Sequence, residues 1–241
     1  MHKILLASSI FVHYSTKTPS STIGDTSMEL YFSPLACTLA TRISFYEAGV
    51  EARFIEVDTK SKRLRDGSDF YPINPLGQVP VLRTDDGWLL RENTAILPYV
   101  ADAFPAAALA PRPGTAERAK LQEWLGFIST ELHKAVFVPL LDEDAPADVH
   151  SYTRKKVALR LNLLEQHLHE REFLLEQFSV ADAYLVAVLN WARYAGVELA
   201  QWPSVQQYYD RITRRASVAK AMAEEFALYR EEQERRKAAA T

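Results

Sequence analysis

Cysteine is nearly absent from this chain of 241 residues: Cys37 stands alone. A single thiol excludes an intramolecular disulfide and a cysteine-built metal site, and it fits a reducing compartment in which a lone thiol persists. Histidine supplies no alternative metal site. The six histidines show no ligand-like pairing beyond His167 and His169, which fall on different sides of a helix, so no metal is expected. An excess of either charge is also lacking. Lys and Arg total 28 against 31 Asp and Glu, mixed along the chain, for a formal net charge of −3. That balance offers no basic field and predicts no nucleic-acid partner. No apolar run reaches the length of a membrane span, so no membrane insertion is expected, and no internal repeat is visible.

What is present is enough apolar residue, 48%, to bury one or two ordinary cores. Residues 1–27 stand apart from them. Lys3 and the apolar stretch through Val12 faintly resemble a signal peptide, but Ser8-Ser9 interrupt it and no small-residue cleavage site follows before His13-Tyr14. Thr16 to Ser27 is rich in Ser and Thr, as a flexible linker is. The expectation is a disordered leader or an upstream start codon, with Met28 as the functional beginning.

From Met28 onward the pattern alternates strand and helix. Met28-Glu29-Leu30-Tyr31-Phe32 reads as a strand, Ser33-Pro34-Leu35-Ala36-Cys37-Thr38 leads into a helix, and Arg53 to Val57 reads as a second strand. Val79, Val81 and Leu82 form a third strand, which Asp85-Asp86-Gly87 turns into a returning Trp88-Leu89-Leu90. Pro80 is tolerated at the start of that strand because it need not donate to the ladder. A cis Val79–Pro80 bond is predicted there, leaving the Val79 N–H and C=O free to pair with an extended peptide. Glu92-Asn93-Thr94 then opens a helix whose free N–H groups attract a carboxylate.

Phe104-Pro105 and Pro111-Arg112-Pro113-Gly114 break the helical pattern, and residues 105–114 are taken as a linker between a domain over 28–104 and one over 115–241. Beyond Thr115 the chain reads as wholly helical, with runs near 115–141, 149–170, 179–195, 203–215 and 218–236 separated by Pro146, Pro203 and Ser217. Ser179-Val180-Ala181-Asp182 reads as a capping box, and the apolar run behind it as the buried spine of the helical domain. The charged run from Glu231 to Lys237 reads as a solvated helix end.

Four stretches, in order, carry a resemblance that covers the chain from about Met28 to Tyr229. They are Ser33-Pro34-Leu35-Ala36-Cys37, Asn74-Pro75 with Gly77-Gln78-Val79-Pro80, Glu131-Leu132-His133-Lys134, and Phe178-Ser179-Val180-Ala181-Asp182-Ala183-Tyr184. The chain resembles cytosolic glutathione transferases, and among them the bacterial beta class that carries cysteine at the first helical turn. The resemblance implies an α/β thioredoxin-like N-terminal domain followed by an all-α domain. It implies glutathione as co-substrate with no further cofactor, a small hydrophobic electrophile, a homodimer and a cytoplasmic location.

Roles follow residue by residue. Cys37 is either an inert buried thiol or one whose pKa the helix N-terminus lowers; the resemblance favours the second. Thr38 is either a partner for a thiolate or a simple cap. Cys37 is followed by Thr38-Leu39-Ala40, so an intrachain dithiol mechanism is excluded. His133 is expected to supply a hydrogen bond or positive charge to the glutathione sulfur. By resemblance Lys62 meets the glycine carboxylate, Val79 pairs with the cysteinyl part, Glu92 and Asn93 hold the γ-glutamyl end, and Thr130 lies nearby. Phe32, Leu35, Phe137 and Trp191 are expected to wall the electrophile pocket, though each could be ordinary core. Four positions depart from the family pattern. Asn93 stands for a usual serine, Gly126 for a frequent asparagine, Leu35 for a usual glycine, and Glu176 for a common glycine. The alternatives are a noncatalytic regulator of the same fold that binds a protein, and a glutathione-dependent disulfide reductase or dehalogenase sharing the same site.

Overall fold

A computed structural model describes residues 28–239; the leader expected over residues 1–27 lies outside them. Five strands form one sheet in the order β3-β2-β1-β4-β5. β1 (Glu29–Phe32) pairs in parallel with β2 (Arg53–Asp58), and the crossover that parallel strands require is helix α1 (Leu39–Ala48). β4 (Val81–Arg83) runs antiparallel to β1, and β5 (Leu89–Arg91) returns from it through the expected turn. A two-residue strand, β3 (Arg63–Leu64), extends the other edge, antiparallel to β2. The Val79–Pro80 peptide is cis, as expected.

Strand alternation divides the sheet between two layers. Leu30, Phe32 and Leu82 pack with Phe45 of α1 and with Ile96 and Val100 of α2 (Asn93–Ala103), while Tyr31, Val57, Val81 and Phe70 fill the opposite face.

The helical half begins as one continuous rod that is not uniformly α-helical. α3 (Ala116–Phe127) passes into a π-helical segment (Ile128–Phe137) and ends in a single α turn, α4 (Val138–Leu141). α5 (Ala147–Leu168), α6 (Val180–Leu189), α7 (Pro203–Ile212) and α8 (Ala216–Ala239) follow. Pro203 opens α7, where its missing N–H costs nothing, and Ser217 lies in the first turn of α8 rather than between helices. Every residue of α6 is buried, as expected for a spine, and Ser179 with Asp182 forms the expected capping box. The Asp182 carboxylate also accepts from Leu174 N–H and from Tyr208 O–H at 2.9 Å each, so its burial is matched by donors. Among the described residues no helix is long and apolar enough to cross a membrane.

Leu39, Ala40 and Ile43 of α1 belong to the same buried cluster as α6, so the two halves share a core. α8 strengthens the join. Glu225 is wholly buried; it accepts from Arg42 Nε of α1 at 2.9 Å and from Leu35 N–H at 2.7 Å. The run from Glu231 to Lys237 is not merely solvated. Glu232 is buried, Arg235 pairs with Glu56, and Arg236 pairs with Asp58 at 3.1 Å, so charge fastens the end of α8 along β2.

Candidate active site

Cys37 sits in the turn between β1 and α1, beneath a cleft where the two domains meet. Asn74, Gln78, Val79, Arg91, Glu92 and Asn93 line the cleft from the sheet side, and Ser129, His133, Lys134 and Tyr184 from the helical side. The Cys37 thiol is buried and donates to the Val79 carbonyl at 3.8 Å, at the long end for sulfur. Burial pushes it up to about 12, although the nearby Lys134 charge pulls the other way. The expectation of a thiol lowered by the helix N-terminus is therefore overturned: at neutral pH Cys37 is a protonated donor. Thr38 does not cap α1 with its side chain. Its hydroxyl donates to Ser33 O at 3.3 Å, inside the turn.

Asn74 shapes the approach to Val79. Its amide donates to Gln78 O at 2.6 Å, and its Oδ1 accepts from Leu76 N–H. Asn93, the first residue of α2, donates through Nδ2 to Cys37 O at 2.9 Å, and its Oδ1 accepts from Thr41 Oγ1. It binds α2 to the cysteine turn. Glu92, exposed at the cleft, holds φ at 67° just before α2.

On the opposite wall His133 Nδ1 lies 2.8 Å from the Tyr184 hydroxyl, and its ring packs edge-on to Trp191 with centroids 4.9 Å apart. Burial, helped by the Lys134 charge, lowers His133 to about 4. The ring is neutral at pH 7, so the expected positive charge does not come from it. A hydrogen bond still can. Lys134, exposed beside it, carries the cation instead.

The glutathione S-transferase N-terminal domain family matches residues 27–102, and the glutathione S-transferase C-terminal domain family matches residues 154–211. The chain belongs to the glutathione S-transferase family. Glutathione S-transferase GstA of Escherichia coli O157:H7 is 37% identical over 199 residues, covering 82% of this chain and 98% of that one. BphK, a bacterial member solved as a ternary complex, superimposes with a TM-score of 0.79 at 41% identity, over 82% of this chain and 98% of that one. A beta-class enzyme from Sphingomonas chungbukensis gives a TM-score of 0.78 at 39% identity, over 82% and 98% respectively. The resemblance to the cysteine-bearing beta class is thereby shown.

This glutathione S-transferase brings Cys37, Val79, Glu92, Asn93 and His133 into one cleft, while the other residues singled out from sequence lie elsewhere. Lys62 is at the margin, its ammonium donating to Gly77 O at 3.0 Å, one residue from the cleft-lining Gln78. Glycine suits that position: φ is +59°, and a Cβ would stand 2.8 Å from the Lys62 side chain, so any other residue would be strained and would push Lys62 aside. Thr130 is exposed, its hydroxyl turned back onto Gly126 O at 3.0 Å; Ser129 faces the cleft instead.

Leu35, Phe137 and Trp191 are buried together behind His133, and the Trp191 indole N–H donates to Leu35 O at 2.8 Å. Phe32 is not with them. It lines a separate cavity of about 380 Å³ with Arg42, Phe54 and Leu228. Leu35, Lys62 and Glu92 all have positive φ, at 59°, 60° and 67°, a conformation that strains a side-chain-bearing residue on the order of 1–3 kcal/mol. Position 35 is thus a place where glycine would sit without strain, in keeping with the family's usual residue.

Arg91 and Ser129 were not singled out from the sequence, and Lys134 and Tyr184 entered only as the last residues of two stretches that carry the resemblance. Two carried a signal: Ser129 stands four residues before His133, and Tyr184 brings a rare polar tip to the apolar α6.

Proposed function

We propose that this glutathione S-transferase binds glutathione along the sheet side of the cleft and joins its sulfur to a small hydrophobic electrophile admitted from the helical side. One observation carries the reading: a buried thiol, the start of β4, the start of α2 and a neutral histidine from the other domain converge on one cleft. Glutathione offers a peptide backbone for Val79, a γ-glutamyl end for Glu92 and the opening turn of α2, and a glycine carboxylate for Lys62.

Catalysis rests on stabilising the glutathione thiolate and aligning it with its acceptor. With Tyr184 donating to His133 Nδ1, the neutral ring carries its proton on Nε2 and can donate to sulfur. Lys134 adds a positive field. The glutathione S–H proton passes to solvent, the sulfur bonds to the electrophilic carbon, and the displaced group leaves with the bonding electrons. A protonated Cys37, its S–H turned from the Val79 carbonyl to that sulfur, serves as a hydrogen-bond donor, and thiol exchange through Cys37 is the lesser reading. Ser129 replaces Thr130 as the hydroxyl near glutathione. Behind the cleft, Leu35, Phe137 and Trp191 shape the acceptor side without forming its open wall.

The functional unit is a homodimer of chains divided near residues 105–114. Large apolar residues stand exposed at Leu76 and Trp88 in the first domain and along α5 at Tyr152, Leu159 and Leu163, whereas α2 exposes none among the described residues. A single free thiol fits a cytoplasmic location. The test is conjugation of glutathione to an aryl chloride activated by nitro groups, together with retention on immobilised glutathione. Neither product nor retention would reject the reading.

A further inference from the structure

The end of α8 is fastened to the turn that presents Lys62. Asp58, the last residue of β2, is the fixed point of that turn. Its Oδ1 accepts from Lys60 N–H at 2.9 Å, from Ser61 N–H at 3.4 Å and from Arg236 Nη2 at 3.1 Å, and its backbone carbonyl accepts from Lys62 N–H at 2.8 Å. One turn along the same helix face, Glu232 binds Arg236 at 2.6 Å and holds the guanidinium in place. Arg235 reaches Glu56, two residues before Asp58, and Glu231 reaches Arg65 at 3.5 Å, which itself binds Glu56 at 3.0 Å.

Lys62 lies at the far end of this chain of contacts. It is held at a φ of 60°, its carbonyl accepts from Phe70 N–H, and its ammonium rests on Gly77 O next to Gln78 and Val79. Burial raises the Asp58 carboxyl, but the bonds from Lys60 and Ser61 and the Arg236 charge outweigh it and hold the group below the usual range. Asp58 therefore remains an anion at neutral pH, able to serve the turn and the helix together.

We infer that Arg236, supported by Arg235, is a positioning residue for glutathione: through Asp58 it fixes the turn that aims Lys62 at the ligand's glycine carboxylate. The inference rests on the glutathione reading of Lys62 given above. The C-terminal helix thus sets affinity for the co-substrate without touching it, and the chemistry at sulfur is left alone.

Steady-state kinetics on the full-length protein separate these effects. Arg236→Ala should raise the glutathione KM about threefold, and the double variant Arg235→Ala/Arg236→Ala about tenfold, with kcat and the electrophile KM unchanged. Arg236→Lys should recover most of the loss. Asp58→Asn keeps an acceptor for the turn but weakens the arginine contact, so combining it with Arg236→Ala should add nothing to the Arg236→Ala rise. Lys62→Ala is the control for the underlying reading. If Lys62→Ala raises the glutathione KM and Arg236→Ala does not, the positioning role is wrong and the glutathione reading stands. If Lys62→Ala leaves KM unchanged, the reading of Lys62 fails and the inference falls with it. Additive effects of Asp58→Asn and Arg236→Ala, or a fall in kcat and thermal stability without a rise in KM, also overturn it.

Discussion

The Trp191 indole N–H meets the Leu35 carbonyl at 2.8 Å, and on the other side of the Leu35 Cα the Glu225 carboxylate accepts the Leu35 N–H at 2.7 Å. The helical domain holds one strained residue, two before Cys37, through the peptide groups on both sides of it. Replacing Trp191 by Phe removes the donor together with part of the ring volume, leaving a buried carbonyl without a partner. The expected loss is about 1–3 kcal/mol, a fall in Tm of roughly 3–8 °C. Conjugation should weaken along with it, because the Cys37 turn is no longer held. Calorimetric Tm and kcat measured on the same preparation check both.

Glu225 makes stability depend on pH. Burial, opposed by the Arg42 charge and the Leu35 N–H bond, raises its carboxyl to about 7, above the ordinary value of the unfolded chain. Between the two values the folded chain holds a proton that the unfolded chain releases. The contribution of this group is therefore greatest in acid and is lost as pH rises toward 7. Relative to Glu225→Gln, the wild type should lose Tm between pH 5 and pH 8. A difference that is flat across that range would refute the assignment.

Cys37 should resist alkylation at neutral pH. With the thiol at about 12, the rate with iodoacetamide should rise about tenfold per pH unit through the range 7–10. A plateau by pH 8 would show an activated thiolate instead. Cys37→Ala should abolish any mixed disulfide with glutathione, as read by intact-protein mass spectrometry, while leaving part of the conjugating activity.

Tyr184→Phe removes the partner of His133 Nδ1 with little change in volume. The ring is then free to rotate and to change tautomer, and kcat/KM for conjugation should fall about tenfold or more. His133→Ala should fall at least as far, and the double variant no further than His133→Ala. Additivity would show that the two residues act separately.

Leu159 is 70% exposed on α5 and Trp88 68% exposed on the β4–β5 turn. If these faces meet in a dimer, Leu159→Asp should weaken the association by about 2 kcal/mol or more, because burying a leucine is worth about 1.5–3 kcal/mol and burying a charge costs further. Sedimentation equilibrium of wild type and variant at micromolar concentration reads the shift.

The sheet, the cis Val79–Pro80 bond and the capping box at Ser179 were legible because each rests on local chemistry: alternation, a proline after a turn, a hydroxyl three residues before a carboxylate. Facing and register were not. Phe32 lies on a strand, where one position decides between two faces, and its side chain falls on the layer with Arg42 rather than at the cleft. Thr130, named by resemblance, faces away, and Ser129 lines the cleft in its place on a π-helical segment whose facing sequence does not reveal. Ionisation was the least legible. Cys37 and His133 were named correctly as neighbours of one cleft, yet their protonation is set by burial, which depends on residues far away in the chain. The charged end of α8 looked solvated because its partners, Glu56 and Asp58, lie almost 180 positions earlier.

The contact between Leu35 and Glu225 spans 190 positions. A ribosome delivers the two residues at very different times. Until α8 has been made and has docked, the Leu35 N–H has only water to accept it. A chain arrested before Glu225 therefore carries an unset loop beside Cys37, because the residue that accepts the Leu35 N–H has not yet been made.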